Sequence, residues 1–211
     1  MFLASLFDRM ILNVIVLVVI AAIILFLTRR AYKGHNDLRD KFFKEEMESN
    51  HARARDVEPE YFYEADTSAL PTTPSAERDI AIKCSKLTMV RFPKKMTNIE
   101  LKSNYGVSNL EKITGYEENY TRYISTLVTW AEALLEKGQD SDRTDAITIL
   151  ETAVGLGSEF RKSYIYLADY YFEQKNVERL DYLMDRAAEM FMDAGIRMQL
   201  TKYIMDKKEE L

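Results

Sequence analysis

The first strong pattern along the chain is an apolar run, MILNVIVLVVIAAIILFL, from Met10 to Leu27. Asn13 is the one strongly polar residue in it. A helix of this length spans about 27 Å, close to the bilayer hydrocarbon core of about 30 Å. A single segment within lipid can satisfy the hydrogen bonds of its own backbone by forming a helix. The pattern predicts a transmembrane helix, with residues 10–28 in contact with the bilayer.

The residues that flank this run distinguish a membrane anchor from a cleaved signal peptide. They also predict the orientation of the anchor in the membrane. The run ends in Phe26–Arg30, which lacks the small residues of a cleavage site. Lys and Arg are retained on the cytoplasmic side, and they are concentrated after the run, at Arg29, Arg30, Lys33, Arg39 and Lys41. We expect residues 1–30 to form an outside N-terminus and an uncleaved anchor in the cell membrane, with the C-terminal bulk in the cytoplasm.

Residues 31–75 are polar and mixed in charge. Leu38, Phe42 and Met47 lie on one narrow helical stripe, which predicts a short juxtamembrane helix. Three prolines follow within residues 59–75 and predict a linker.

The linker and the segment that follows it are both predicted to pack on the folded part of the chain. We expect its aromatic triplet, Tyr61–Tyr63, to dock on the folded part of the chain. The next segment, residues 76–115, is predicted to be short, helical or irregular, and packed on the domain that follows. Its apolar positions fit either a helix or a strand over residues 76–92, and helix is the favoured interpretation.

From residue 116 to 211 the apolar positions recur every three to four residues, which is typical of amphipathic helices. Gly138 is predicted to end the first helix, Asn176 to begin the fourth and Gly195 to end it. The stripes of the successive helices are Tyr116, Tyr120, Tyr123, Leu127, Trp130 and Leu134; Ile147, Leu150 and Val154; Tyr164, Leu167, Ala168, Tyr171 and Phe172; Val177, Leu180, Leu183, Met184, Ala187 and Phe191; and Ile196, Leu200, Tyr203 and Ile204.

The second helix pair repeats the first when the chain is shifted by 34 residues. This shift aligns Trp130 with Tyr164, Ala133 with Leu167, Leu134 with Ala168, Ala146 with Leu180, Leu150 with Met184 and Ala153 with Ala187. Over residues 127–194 the chain resembles tetratricopeptide repeats, whose unit is a helix–turn–helix of about 34 residues. It departs from that pattern at Lys175, where glycine is usual, and at Leu180, where alanine is usual. A plain helical bundle is the alternative.

The apolar run and the resemblance together predict an all-α fold, in which an N-terminal transmembrane helix precedes a domain of tetratricopeptide-like helical hairpins. The resemblance also implies a groove for a partner helix or extended peptide. The groove positions that it assigns are Val128, Ala131, Leu135, Lys162, Ile165, Asp169, Phe172 and Glu173.

The composition and the absence of known motifs argue against several classes of function. The net charge of −5 gives no general reason to bind nucleic acid. The chain has a single cysteine, Cys84, so it cannot form an internal disulfide and has too few thiols for a zinc site built on cysteines. The sequence contains no glycine-rich phosphate loop, H-E-x-x-H or G-x-S-x-G motif. We therefore expect no catalytic, cofactor-binding or metal-binding residues, and no enzyme.

Together these patterns predict an adaptor or scaffold, tethered in the membrane, that presents its repeat domain to a protein partner in the cytoplasm. The alternative is a structural or regulatory subunit of a membrane complex that assembles partly through its transmembrane helix. Anchored repeat proteins also act in organelle import, so the mitochondrial outer membrane is an alternative location by fold-level analogy.

Overall fold

A computed structural model of the chain describes residues 2–211, with side chains described for residues 18–30 and 37–211. Regular structure in this part is almost entirely helical, which confirms the all-α class. The helices are α1 (Phe2–Ser49), α2 (Ala76–Ser85), α3 (Asn98–Tyr105), α4 (Val107–Lys137), α5 (Asp140–Gly155), α6 (Arg161–Glu173), α7 (Val177–Met190) and α8 (Ala194–Glu209). A 3-10 turn (Pro59–Tyr61) and two short strands, β1 (Phe62–Tyr63) and β2 (Met89–Val90), complete the regular elements.

Helix α1 contains both the predicted anchor and the predicted juxtamembrane helix as one element. Leu38, Phe42 and Met47 are exposed on it. Over residues 18–30 and 37–211, no helix reaches the length and apolar character needed to cross a membrane. Residues 10–17, which belong to the predicted span, lie outside that described set.

The chain divides into two compact units, Met1–Arg55 with Met96–Leu110, and Asp56–Lys95 with Glu111–Leu211. We call them the first unit and the second unit. This division differs from the predicted segment 76–115, because residues 76–95 belong to the second unit and residues 96–110 to the first.

Within the first unit, α3 packs against the end of α1. Thr97 and Glu100 form a capping box that starts α3. Lys102 on α3 forms an ion pair with Glu46 on α1. Gly106 ends the helix at φ 80°, where a Cβ would lie 2.8 Å from the backbone of Ala54. These contacts explain why residues 96–110 belong with α1.

The second unit begins with an arm, residues 56–75, that lies on α4. Strands β1 and β2 pair antiparallel, and the Arg91 amide donates to the Tyr61 carbonyl at 2.8 Å. The rings of Phe62 and Tyr63 pack against Tyr116 and Tyr120, with centroids 6.1 Å and 5.1 Å apart. The predicted docking of the aromatic triplet is therefore confirmed. Residues 76–92, which fitted helix or strand, form α2 followed by β2.

The core of the second unit lies between α4 and α8 and consists of the inward stripes of the helices. Trp130, Tyr123 and Tyr164 are the largest fully buried side chains there. Helix α4 begins at Val107 rather than after Gly115, and Gly115 lies inside it without a positive φ.

The turns between helices differ from one another. Gly138, at φ 72°, follows α4 as predicted, and the Asn176 side chain caps α7 by accepting from the Arg179 amide. Gly195 does not end α7: that helix stops at Met190, and the Asp193 side chain caps α8 at the Ile196 amide. Because Asp193 caps the start of α8, Gly195 lies in the first turn of that helix instead of ending α7.

Candidate functional site

Helices α4 and α6 meet through an ion pair on the face where the groove was predicted. The Lys162 ammonium on α6 lies 3.0 Å from Oε1 of Glu132 on α4. The side chain of Glu132 is 24% exposed and that of Lys162 is 68% exposed. Contact with the Glu132 carboxylate raises the pKa of Lys162, so the lysine stays charged.

Leu135 and Ile165 lie one helical turn beyond this ion pair, on α4 and α6 respectively. Both are half-buried, and both pack against the edge of the core. Glu136 and Tyr166 also lie close enough to influence the charge of Lys162. We call Glu132, Leu135, Lys162 and Ile165 the inner surface. It offers apolar side chains bordered by charge.

The other end of α6 is covered by the C-terminal helix of the chain. The Tyr203 hydroxyl donates to Oδ1 of Asp169 at 2.6 Å, and the Lys207 ammonium reaches the same oxygen at 2.9 Å. The Lys207 nitrogen also lies 4.8 Å from the centroid of the Phe172 ring. A cation over a ring face is attracted to it. Asp169 and Phe172 therefore bind α8.

The hydrogen bonds of Asp169 also shift the titration of its partners. Burial, and then the bond to Asp169, raises the pKa of the Tyr203 hydroxyl. The bond to Asp169 raises the pKa of the Lys207 ammonium. Both donors keep their protons near neutral pH, so the contact between α6 and α8 is maintained there.

Three of the predicted groove residues lie elsewhere. Val128 is 4% exposed and Ala131 is 0% exposed, so both belong to the core. Helix α4 turns these positions inward because its apolar stripe is wider than the repeat pattern assumed. Glu173 forms an ion pair with Arg143 on α5, and the Arg143 guanidinium lies 5.6 Å from the Tyr170 ring centroid. Glu173 therefore faces α5.

Sequence reasoning missed Glu132, Tyr203 and Lys207, which make the polar contacts on α6. The repeat period carried a signal for one of them, because Tyr203 lies 34 residues after Asp169, its hydrogen-bond partner. No local pattern marked Glu132 or Lys207, since charged residues at helical spacing are usually solvated.

Titratable groups elsewhere in the second unit are tied to packing. The buried Tyr164 hydroxyl donates to the Ser158 carbonyl at 3.0 Å, and the Tyr171 hydroxyl donates to the Glu151 carboxylate. Burial raises the pKa of Tyr123 to about 12. Among the side chains that the structure describes, no group of three or more His, Cys, Asp or Glu could hold a metal ion. Cys84 is buried.

Comparisons of this chain with family models, with curated proteins and with solved structures found no match.

Proposed function

We propose that this chain is a membrane-tethered adaptor that holds a protein partner at the cytoplasmic face of the cell membrane. The apolar run from Met10 to Leu27 supports the tether, and the cations after it support the direction. The inner surface supports the adaptor role, and no catalysis is assigned to it. The observation that carries the proposal is the placement of Leu135 and Ile165 beside the Glu132–Lys162 ion pair.

The chemistry of the inner surface indicates what the partner presents. Leu135 and Ile165 offer apolar contact, while Glu132 and Glu136 place carboxylates next to it. An amphipathic helix or an extended segment with an apolar residue flanked by lysine or arginine complements that arrangement. Asp169 and Phe172 are engaged by α8, so the partner's contact is centred on the half of α6 nearer its N-terminus.

A pull-down in mild detergent tests this surface. The double variant Leu135→Asp, Ile165→Asp places two carboxylates on the inner surface and should release a partner that the native chain retains. The matched control is Met198→Asp on α8, whose side chain is 67% exposed. Circular dichroism on both variants checks folding. An unchanged set of partners in a folded double variant rejects the inner surface as the binding site.

Protease treatment of intact cells tests the direction. The proposal expects residues beyond Arg30 to be protected until the cells are opened. Digestion of that region from outside rejects the cytoplasmic assignment.

The second candidate is a structural or regulatory subunit that assembles through the predicted span. Asn13 favours it, because polar side chains within lipid can bind neighbouring helices. Replacing residues 10–28 with an unrelated hydrophobic helix separates the two functions. An adaptor retains its partner after the exchange, whereas a subunit loses its complex.

A further inference from the structure

Glu132 carries a carboxylate that the fold largely buries. Its side chain is 24% exposed, and its Oε1 atom is buried without a hydrogen bond from any residue that the structure describes. A carboxylate oxygen in this position has lost the hydrogen bonds that water would donate to it. The charge is compensated by the Lys162 ammonium, which lies 3.0 Å from Oε1 but outside hydrogen-bonding geometry.

Lys162 is poorly placed to satisfy this carboxylate. Its side chain is 68% exposed, so water screens the attraction. It is the second residue of α6, and the positive end of a helix dipole disfavours a cation in the first turn. Its four-carbon stem also loses rotational freedom when the ammonium is held in one place. Another cation can therefore replace Lys162 beside Glu132 at little cost.

The neighbouring side chains indicate which cation suits the position. A guanidinium donates two parallel N–H groups to a carboxylate and is less strongly hydrated than an ammonium. Leu135 and Ile165 lie one turn from Glu132 and Lys162, and they offer apolar contact beside the carboxylate. Glu136 also lies close enough to act on the ammonium, so the local field favours positive charge. These surroundings fit an arginine side chain that lies next to an apolar one.

We infer that Lys162 competes within the chain for the Glu132 carboxylate, and that a partner displaces it with an arginine. This inference rests on the proposed function, because it concerns how a partner binds the inner surface. The Glu132–Lys162 pair must open before the arginine binds, so Lys162 lowers the affinity of the partner. It also sets a preference for arginine over lysine, since an ammonium only exchanges one screened ion pair for another.

The test uses two synthetic peptides and the full chain in detergent micelles. One peptide is an amphipathic helix with leucines flanked by arginines, and the other replaces each arginine with citrulline, which has nearly the same shape and no charge. Fluorescence anisotropy measures their affinities. We expect the arginine peptide to bind about tenfold more tightly, as for a hydrogen bond to a charged group. Equal affinities of the two peptides overturn the inference.

Two substitutions at Lys162 should act in opposite directions. Lys162→Gln removes the competing charge and should raise the affinity for the arginine peptide by about two- to fivefold. Lys162→Arg gives Glu132 a better internal partner and should lower that affinity by a similar factor. A pair that only joins α4 to α6 predicts the reverse order, because the glutamine variant would loosen the surface and the arginine variant would keep it. The reverse order, or no change in either variant, overturns the inference.

Substitution of Glu132 assigns the effect to the carboxylate. In Glu132→Gln, the two peptides should bind equally, and Lys162→Gln should add no further change. Lys202→Gln on α8 and Glu178→Gln on α7 alter exposed residues and serve as matched controls with native affinities. Urea unfolding compares the stability of all variants. If Lys162→Gln does not fold, Lys162→Arg and the citrulline peptide still decide the result.

The pull-down with Leu135→Asp, Ile165→Asp separates this inference from the proposed function. If that variant loses its partner while the arginine and citrulline peptides bind the native chain equally, the inner surface remains the binding site and the role of Lys162 is wrong. If that variant retains its partner, the proposed surface is wrong, whatever the peptides do. Loss of the partner, together with an affinity order of Gln, Lys and Arg at position 162, supports both.

Discussion

The helical stack of the second unit is closed differently at its two sides. Helix α4, the first of the stack, is covered by the arm, which places the rings of Phe62 and Tyr63 against Tyr116 and Tyr120. Helices α6 and α7, the last pair, are covered by α8, which buries Leu200 and Ile204 and bonds to Asp169. One cover is irregular and aromatic, and the other is a further amphipathic helix.

This difference shows what a short stack of helix pairs requires. Each pair leaves an apolar face that its neighbour must bury, so the terminal faces need a cover of some kind. Helix α8 continues the helical pattern and therefore occupies the far end of α6. The arm is irregular and packs on Tyr116 and Tyr120 of α4, whereas Leu135 and Ile165 of the inner surface are half-buried.

The largest expected effect comes from breaking the helical cover. Leu200 is 0% exposed, and Leu200→Ala should lower the free energy of unfolding by about 2–5 kcal/mol, because the lost contacts leave a cavity. Urea unfolding followed by circular dichroism in mild detergent measures it. The exposed residue Met198 supplies the control, since Met198→Ala should change stability by less than about 0.5 kcal/mol. Equal effects from the two variants would show that α8 does not contribute to the core.

Breaking the aromatic cover should cost less. Tyr63 is half-buried, and Tyr63→Ala removes its ring contact with Tyr120, which predicts a loss of about 1–2 kcal/mol. Tyr63→Phe keeps the ring and should stay within about 0.5 kcal/mol of the native chain. The same urea titration compares them. If the phenylalanine variant is as unstable as the alanine variant, the hydroxyl rather than the ring holds the arm.

The polar link between α6 and α8 should contribute about 1 kcal/mol. Asp169→Asn keeps the size of the side chain but weakens its bonds to Tyr203 and Lys207. A double-mutant cycle with Lys207→Met isolates the charge term, which partial exposure to water keeps small. Additive effects of the two substitutions would contradict a direct Asp169–Lys207 interaction.

The smallest expected effect concerns the turns that follow α4 and α6. Gly138 turns the chain at φ 72° after α4, whereas Lys175 takes φ 51° after α6. A side chain is strained in this left-handed region, so Lys175→Gly should stabilise the protein by up to about 1 kcal/mol. Gly138→Lys should destabilise it by a similar amount, and thermal unfolding of both variants provides the measurement. A destabilised Lys175→Gly variant would show that the lysine side chain makes a compensating contact.

The sequence predicted much of the fold through helical periodicity. Most predicted stripe residues of α5 to α8 are at least half-buried, because a buried helical face must recur every three to four residues. Val177 and Ile196 are the exceptions, each 41% exposed. Lys175 was noted only as a departure from the tetratricopeptide pattern, and the positive φ of 51° that it adopts was not predicted. The end of α7 was predicted wrongly, because Asp193 caps the next helix where glycine had been expected to end the last one.

The candidate site was less predictable, because it depends on which helices meet. Val128 and Ala131 have the residue types of a groove, yet the stack buries them. Glu173 is the last residue of α6, next to Phe172, yet it forms an ion pair with Arg143 on α5. Helical periodicity predicts the face of a helix on which a side chain lies. Only the neighbouring helices decide which residues that side chain contacts.

By itself, the sequence determined the helical class, the apolar run at the N-terminus and most of the core stripes. These are local properties, since each depends on residues within a few turns of one another. The tertiary structure decided that α8 covers Asp169 and Phe172, that the arm covers α4, and that residues 96–110 belong with α1. Such contacts join residues far apart in the chain, and their free energy depends on surfaces that form only when the helices pack together.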